Sequence, residues 1–385
     1  QEIEAERPGL WDVSQQIDKI EKANQISEYL AEGESAYANE VWGQVISAYE
    51  NALTLDPTIN DPDITEQLVR GYLNEIIRLL QDETATIEDI ERAEQYYRKA
   101  VALIPQSRTF ANERQDLQEA SSNLLEVKFL QIAKENLADK NQTRASISRA
   151  VSFFRRAQNI NSRNTALQQD VRNAERYQIA FNNFIEMEWV AAISNLSELL
   201  SVDPNYAEGN ASVLLFESYY ALGNQYFSAS LHQDAINNFE QAEILVFENR
   251  ENLMRLFQVQ TRIGDTLGRL NDYENAVSYY QFAFNVIEFQ QKVSSFSNLA
   301  VQFTEANNQA ANGNYEAAYN TFQDVLEGVD VVYSISEIEV GDGICLALFA
   351  SEYQSTMEAI IEANDLPRNM VVTFGQTLNV PMIAP

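Results

Sequence analysis

Apolar positions along this chain fall at helical spacing, and between Phe216 and Glu288 one pattern is written twice. Leu222, Gly223, Tyr226, Ala235, Phe239 and Ala242 recur in role as Ile263, Gly264, Leu267, Ala276, Tyr280 and Ala283, each 41 residues on. Self-similarity at a fixed period marks a repeat architecture. Each copy reads as two antiparallel helices: small residues at the crossing let the backbones approach, and aromatics beside them fill the space. Further copies lie on either side. Trp42, Ile46, Tyr49 and Ala52 run into Leu55-Asp56-Pro57, and Ala93, Tyr97 and Ala100 run into Pro105. Ala150, Phe154 and Ala157 follow, then Trp189, Ala192, Leu196 and Leu199 before Asp203-Pro204, and last Gly313, Tyr315, Ala318, Phe322 and Val325. A proline cannot continue the helix it follows, so it stops each copy where it stands.

The small residue of the second helix stands at Val45, Ala93, Ala150, Ala192, Ala235, Ala276 and Ala318; the last five are 42, 43, 41 and 42 apart, the first intervals 48 and 57. Longer loops or an extra turn are expected around Asp82 to Asp89 and Ser107 to Asp116. Ahead of the array, Leu10, Val13, Ile17, Ile20 and Ala23 form a narrow apolar stripe after Pro8, with Trp11 beside it. That spacing predicts an amphipathic helix, which either caps the first repeat or docks another subunit. Past Gly328 the pattern changes: Val331, Val332, Tyr333, Ile335, Ile338 and Val340 favour a strand, Gly341-Asp342-Gly343 breaks it, and Ile344 to Glu362 reads as helix again.

The repeated pattern resembles the tetratricopeptide repeat, with a small residue late in its first helix and alanine, aromatic and alanine down its second. Members of that family repeat every ~34 residues, so the spacing here implies longer helices. The C-terminal stretch resembles a LysM module, a small β-α-α-β domain. The resemblance rests on Gly341-Asp342 after the first strand, Tyr353 closing the first helix, Ile361 and Asn364-Asp365-Leu366 after the second, and an ending with Gly375, Gln376, Leu378, Val380 and Pro381. It departs at Gly343, where threonine is usual, and at Ser336, where an aromatic or leucine is more common. The resemblance implies a glycan ligand built of N-acetylglucosamine, such as peptidoglycan, on Gly341, Asp342, Gly343, Ile344, Asn364 and Leu366. The expected fold class is mostly α: an α-solenoid of about seven elongated helix pairs followed by a small β-α-α-β domain. The expected boundaries are a capping helix over 1–25, the repeat array over 26–328 and the C-terminal module over 329–385.

Lys and Arg total 26 against 57 Asp and Glu, a formal charge of −31 that repels phosphate backbones and anionic headgroups. Nucleic acid is therefore not an expected partner. No run of about 18 apolar residues is present, so no membrane-spanning helix is expected. The single histidine, His232, falls in an interhelix turn, where a solvated side chain is expected, and neither a histidine triad nor a histidine metal site can be built from it. Cys345 is the single cysteine and reads as a buried packing residue. The acidic group Asp56, Asp61, Asp63 and Glu66 lacks the glycine and spacing of a calcium loop. Sequons begin at Asn141, Asn195 and Asn210. No cofactor, metal site or catalytic residue is expected.

These features point to a non-enzymatic, exported structural scaffold, its signal peptide removed before Gln1, located outside the cell or in its envelope. It is expected to assemble head-to-tail with copies of itself into a filament or tube, with Trp11, Ile17 and Ile20 at the contact. The alternative is a monomeric cell-wall adaptor. In that reading the repeat groove holds a partner peptide, with basic residues between Arg172 and Arg176 and between Arg262 and Arg269, while the tail holds peptidoglycan.

Overall fold

The computed structural model describes residues 10–104, 111–247, 252–295, 297–341, 343–366 and 375–383. Contacts divide the chain into two units, Gln1–Gln131 with Arg156–Leu167, and Ile132–Arg155 with Gln168–Pro385. Among the described residues no helix is long and apolar enough to cross a membrane.

The first unit holds α1 (Leu10–Ala38), α2 (Trp42–Leu55), α3 (Pro62–Gln81) and α4 (Ile87–Leu103), most of α5 (Ala111–Ala138) and the end of α6 (Arg144–Ile160). α1 pairs with α2, α2 packs on α3, and α3 pairs with α4. The expected break between a capping helix and the first repeat is absent: α1 is one helix of 29 residues, whereas its partner α2 has 14. Its C-terminal half is the first helix of the first pair, and its N-terminal half runs past the end of α2's cover. The long first intervals come from helix length as much as from loops, since α3 has 20 residues and α5 has 28. The expected loop at 82–86 is held by its own side chains. Asp82 accepts from Thr84, and Thr86 and Asp89 form a capping box on α4. The acidic group has local work too: Asp56 accepts from Thr58, Asp61 caps α3 through the N–H groups of Asp63 and Ile64, and buried Glu66 pairs with Arg70 and Arg114.

The second unit carries the rest of α5 and α6, then α7 (Thr165–Ile185), α8 (Trp189–Val202), α9 (Asn210–Ser228), α10 (His232–Phe247), α11 (Leu253–Arg269), α12 (Tyr273–Val286), the short α13 (Phe289–Lys292), α14 (Ser297–Ala311) and α15 (Tyr315–Leu326). β1 (Tyr333–Glu339), α16 (Leu346–Glu352), α17 (Met357–Ala363) and β2 (Thr377–Ile383) end it. The strands are antiparallel with Ile335 opposite Pro381, which gives the β-α-α-β order expected from the sequence. α16 packs on α9, and Leu346 to Ala350 are all buried.

Three helix pairs cross where one member has no side chain. A Cβ on Gly223 would stand 2.5 Å from the Phe239 ring and one on Gly264 2.7 Å from the Tyr280 ring, both far inside contact distance; Gly33 meets Tyr49 in the same way. In each pair the ring lies 16 residues after the glycine, so one crossing geometry serves α1/α2, α9/α10 and α11/α12. The turn between paired helices is also shared. Glu40, Met187, Ser230, Asn271 and Gly313 have φ of 57°, 59°, 61°, 62° and 77°. Each stands five residues before the small residue of its second helix. The next N–H reaches back five residues in every case, as in Leu231 to the Tyr226 carbonyl at 2.9 Å and Asp272 to the Leu267 carbonyl at 3.0 Å. This is the left-handed helix stop that favours glycine, yet only Gly313 supplies one.

Two sequence expectations meet the structure differently. Cys345 is fully buried, and burial pushes its thiol up to about 12. His232 is not a solvated turn residue: it starts α10, its ring lies 5.7 Å from that of Phe227, and its Nδ1 is buried without a partner. Of the sequons, Asn210 is fully buried and its amide donates to the carbonyls of Leu137 and Asp139, whereas Asn141 is exposed.

Two substitutions test the crossing and the turn, read by chemical denaturation. Gly264→Ala places a methyl against Tyr280 and is expected to cost ~1–3 kcal/mol. Met187→Gly removes a side chain from the left-handed region and is expected to stabilise by ~1 kcal/mol.

Candidate functional site

α11 is apolar on the side that builds the core, with Leu256, Phe257, Val259 and Ile263 buried. Against that background Arg255, Gln258, Arg262 and Asp265 stand at 3-4-3 spacing, which sets them on one face. Glu217 and Tyr220 of α9 contribute to the same surface, and the C-terminal module sits on it. Arg255 pairs with Glu217 at 3.1 Å and donates to the Ala347 carbonyl at 3.3 Å, its guanidinium 5.2 Å over the Phe216 ring. Asn252 donates to the Ser355 carbonyl at 2.8 Å. Two donors converge on Glu358 of α17, Tyr220 at 2.6 Å and Gln258 at 2.9 Å, and the Arg262 guanidinium pairs with it at 3.6 Å. Arg262 also lies 3.6 Å from Asp265, whose other oxygen accepts from Tyr280 at 2.5 Å and Gln323 at 2.9 Å.

Burial sets the electrostatics of this seam. Glu217 and Arg255 are 2% and 4% exposed at the side chain, so neither charge is solvated. Desolvation raises the Glu217 carboxyl to about 7; Arg255 draws it back and nearby Glu358 pushes it further. The Asp265 carboxyl is raised by burial against the pull of Tyr280 and Arg262. Beside the seam a cleft of about 660 Å³ opens between α11, α17 and the sheet, with Tyr220, Phe257, Arg262, Asp330, Ile335 and Pro381 in its lining.

The glycan residues expected from the sequence have mixed positions. Gly341 and Gly343 are exposed, Gly343 with φ of 67° and open space where a Cβ would be. Asp342 lies outside the described residues. Ile344 is buried. The Asn364 amide is tied to β2, donating to the Asn379 carbonyl at 2.7 Å and accepting from the Asn379 N–H at 2.8 Å. Leu366 is half-buried, and its N–H donates to the Ile361 carbonyl. Of the self-association residues, Ile17 and Ile20 are 50% and 59% exposed on α1. Trp11 lies in the same helix, with its side chain outside the described ones. The basic residues offered for a peptide are engaged: Arg172 with Gln169, Arg176 with Glu198 and Arg262 with Glu358. Sequence reading missed the polar row on α11, although its 3-4-3 spacing inside an apolar helix was the signal that could have found it.

The tetratricopeptide repeat family model matches residues 257–285, which cover most of α11 and α12. That fold is in general a protein-interaction scaffold and not a catalytic one. No curated protein matches the sequence. Among solved structures, the apo form of RapI is similar at 14% identity over 79% of this chain and 76% of its own, with a TM-score of 0.28. Aspartyl phosphate phosphatase F from Bacillus subtilis is similar at 15% over 71% and 67%, with a TM-score of 0.27. BtubC from P. vanneervenii is similar at 17% over 69% and 90%, with a TM-score of 0.23. Scores this low carry nothing about activity or partner.

The buried Glu217 gives the second unit a pH dependence of known sign. Its folded pKa lies above the ordinary carboxyl value, so the folded state holds the proton longer than the unfolded chain. Stability is greatest below the ordinary carboxyl range, falls as pH rises toward about 7, and levels off above it. Glu217→Gln keeps an acceptor for Arg255 and cannot ionise. Denaturation at pH 5 and pH 8 should show wild type losing a few kcal/mol relative to this variant; parallel losses would mean that Glu217 does not titrate in this window.

Proposed function

We propose that this chain is a non-enzymatic, exported interaction scaffold that assembles head-to-tail with copies of itself through the free half of α1. One observation carries this reading. α1 extends well beyond the 14-residue helix that covers its other half, and its side chains from residue 15 to residue 25 are all exposed, Ile17 and Ile20 among them. A helical stretch of about that length is marginal in water without a packing partner, and its apolar stripe is satisfied by another helix. A chain whose two ends carry different surfaces makes heterologous contacts, which propagate.

Local charge favours a copy over other partners. Asp18, Lys19, Glu21 and Lys22 balance one another, so this stretch is neutral within a chain of net charge −31. The end of a second copy approaching this stretch meets less repulsion than it would at an acidic surface, and salt or divalent cations screen the remainder.

The C-terminal module enters this reading as a LysM-like domain, by its β-α-α-β order and its final strand. Its role is to pack against the helices of the second unit. Support comes from the burial of Leu346 to Ala350, from the Cys345 N–H donating to the Gln142 carbonyl at 2.9 Å, and from the Asn364 amide being tied to β2. Peptidoglycan binding and the peptide adaptor stand second, since Arg262, the adaptor's best-placed cation, is paired with Glu358 within the chain.

Light scattering and electron microscopy across salt and calcium concentration test the proposal. Wild type should grow in mass with concentration and form regular filaments or tubes. Ile17→Glu/Ile20→Glu should stay monomeric, with stability within ~0.5 kcal/mol of wild type because both positions are exposed. A wild type that is monomeric under every condition would remove the assembly reading, and retention on peptidoglycan would then favour the adaptor.

A further inference from the structure

The cleft beside the α11 seam has a chemistry that neither the core nor self-assembly uses. Five carboxylates face it, those of Asp265, Glu327, Asp330, Glu358 and Glu362, against the single guanidinium of Arg262. That guanidinium is already shared between Glu358 and Asp265, 3.6 Å from each. Glu327 and Asp330, at the rim, are exposed.

Beside the acidic rim stands an apolar wall. Ile335 is 64% exposed in mid-strand, its cross-strand partner Pro381 stands beside it, and both line the cleft. A bare metal ion would have no use for that wall. A long side chain with an apolar stem and a cationic head would use both halves, laying its methylenes on Ile335 and Pro381 and its N–H groups toward the acceptors.

We infer that this cleft docks a basic segment of a protein partner, with one lysine or arginine side chain seated between the sheet face and α11. The occupant follows from charge complementarity, because a strongly acidic protein steers cationic segments toward it and repels anionic ones. The surface lies in the second unit and involves no residue of α1, so its success or failure is independent of head-to-tail assembly.

The test is fluorescence anisotropy of a labelled nine-residue peptide of alternating arginine and alanine, titrated with the full chain in low salt. Binding is expected to weaken at least tenfold in Glu327→Gln/Asp330→Asn and several-fold in Ile335→Ser, a change that leaves the charge untouched. Glu83→Gln/Glu88→Gln removes the same charge from the exposed surface of the first unit and should leave affinity unchanged. Ile17→Glu/Ile20→Glu should also leave it unchanged. Equal weakening by the cleft pair and the distant pair would overturn the proposal in favour of diffuse attraction, as would Ile335→Ser without effect or equal binding of a glutamate-alanine peptide. All substituted positions are exposed, and thermal melts overlaying wild type confirm that the fold is intact.

Discussion

The close approach of paired helices at a residue with little or no side chain is the constraint from which the repeat follows. Gly33, Gly223 and Gly264 each accept an aromatic ring where a methyl group would already collide. The crossing point then fixes the register of the second helix against the first. With register fixed, the turn has one geometry available, and five pairs adopt it although four of them must hold a glutamate, methionine, serine or asparagine at positive φ. The packing of the second helix outweighs ~1–2 kcal/mol of backbone cost at each of those four turns. The α7/α8 and α14/α15 pairs keep the same turn with Ala180 and Ala306 in the glycine's place. The α3/α4 pair has no such turn and is joined instead by a capped five-residue loop.

The second organising interaction is the use of arginine as an internal tie. Glu66 with Arg114, Glu94 with Arg156 and Glu217 with Arg255 each join one helix pair to the next. All three carboxylates are buried. Removing one partner of such a pair strands a charge in a poorly solvating interior, at ~3–5 kcal/mol. The Glu217–Arg255 tie does more, because Arg255 also holds the backbone of the first helix of the C-terminal module. Repeats and module therefore share one polar seam, and the α11 face that could receive a foreign carboxylate already holds the chain's own Glu358.

The array was legible in the sequence because its signal is periodic and geometric. The small residue and its apolar partner recur from pair to pair, and the crossing glycines, the rings and the closing prolines Pro57, Pro105 and Pro204 agree with them where they occur. The C-terminal β-α-α-β order was legible from alternation, a glycine break and renewed helical spacing. What stayed hidden depends on tertiary partners. Gly33 lies in a stretch whose second helix carries Val45 where alanine is usual, so its pairing with Tyr49 was not apparent. The continuity of α1 from Leu10 to Ala38 was masked because its exposed and paired halves carry different patterns. His232 reads as a turn residue by position, yet the ring of Phe227 covers it. The row from Arg255 to Asp265 was visible as spacing but not as a seam, since no local pattern announces that a segment a hundred residues later will return to it.

Charge links these observations to function. Of 26 basic residues, Arg70, Arg114, Arg156 and Arg255 are largely buried against carboxylates, and others are held in surface pairs. Cations drawn inward to tie the pairs together do little to neutralise the outside, so the solvent-facing surface is strongly acidic. Such a surface discourages contact between copies except where charge is locally balanced, and it attracts cations wherever acidic groups meet an apolar wall. The free half of α1 meets the first condition and the cleft at Ile335 meets the second. One consequence of building a repeat array with internal arginines is therefore an acidic exterior on which the neutral stretch of α1 and the cleft at Ile335 stand apart in the charge they present.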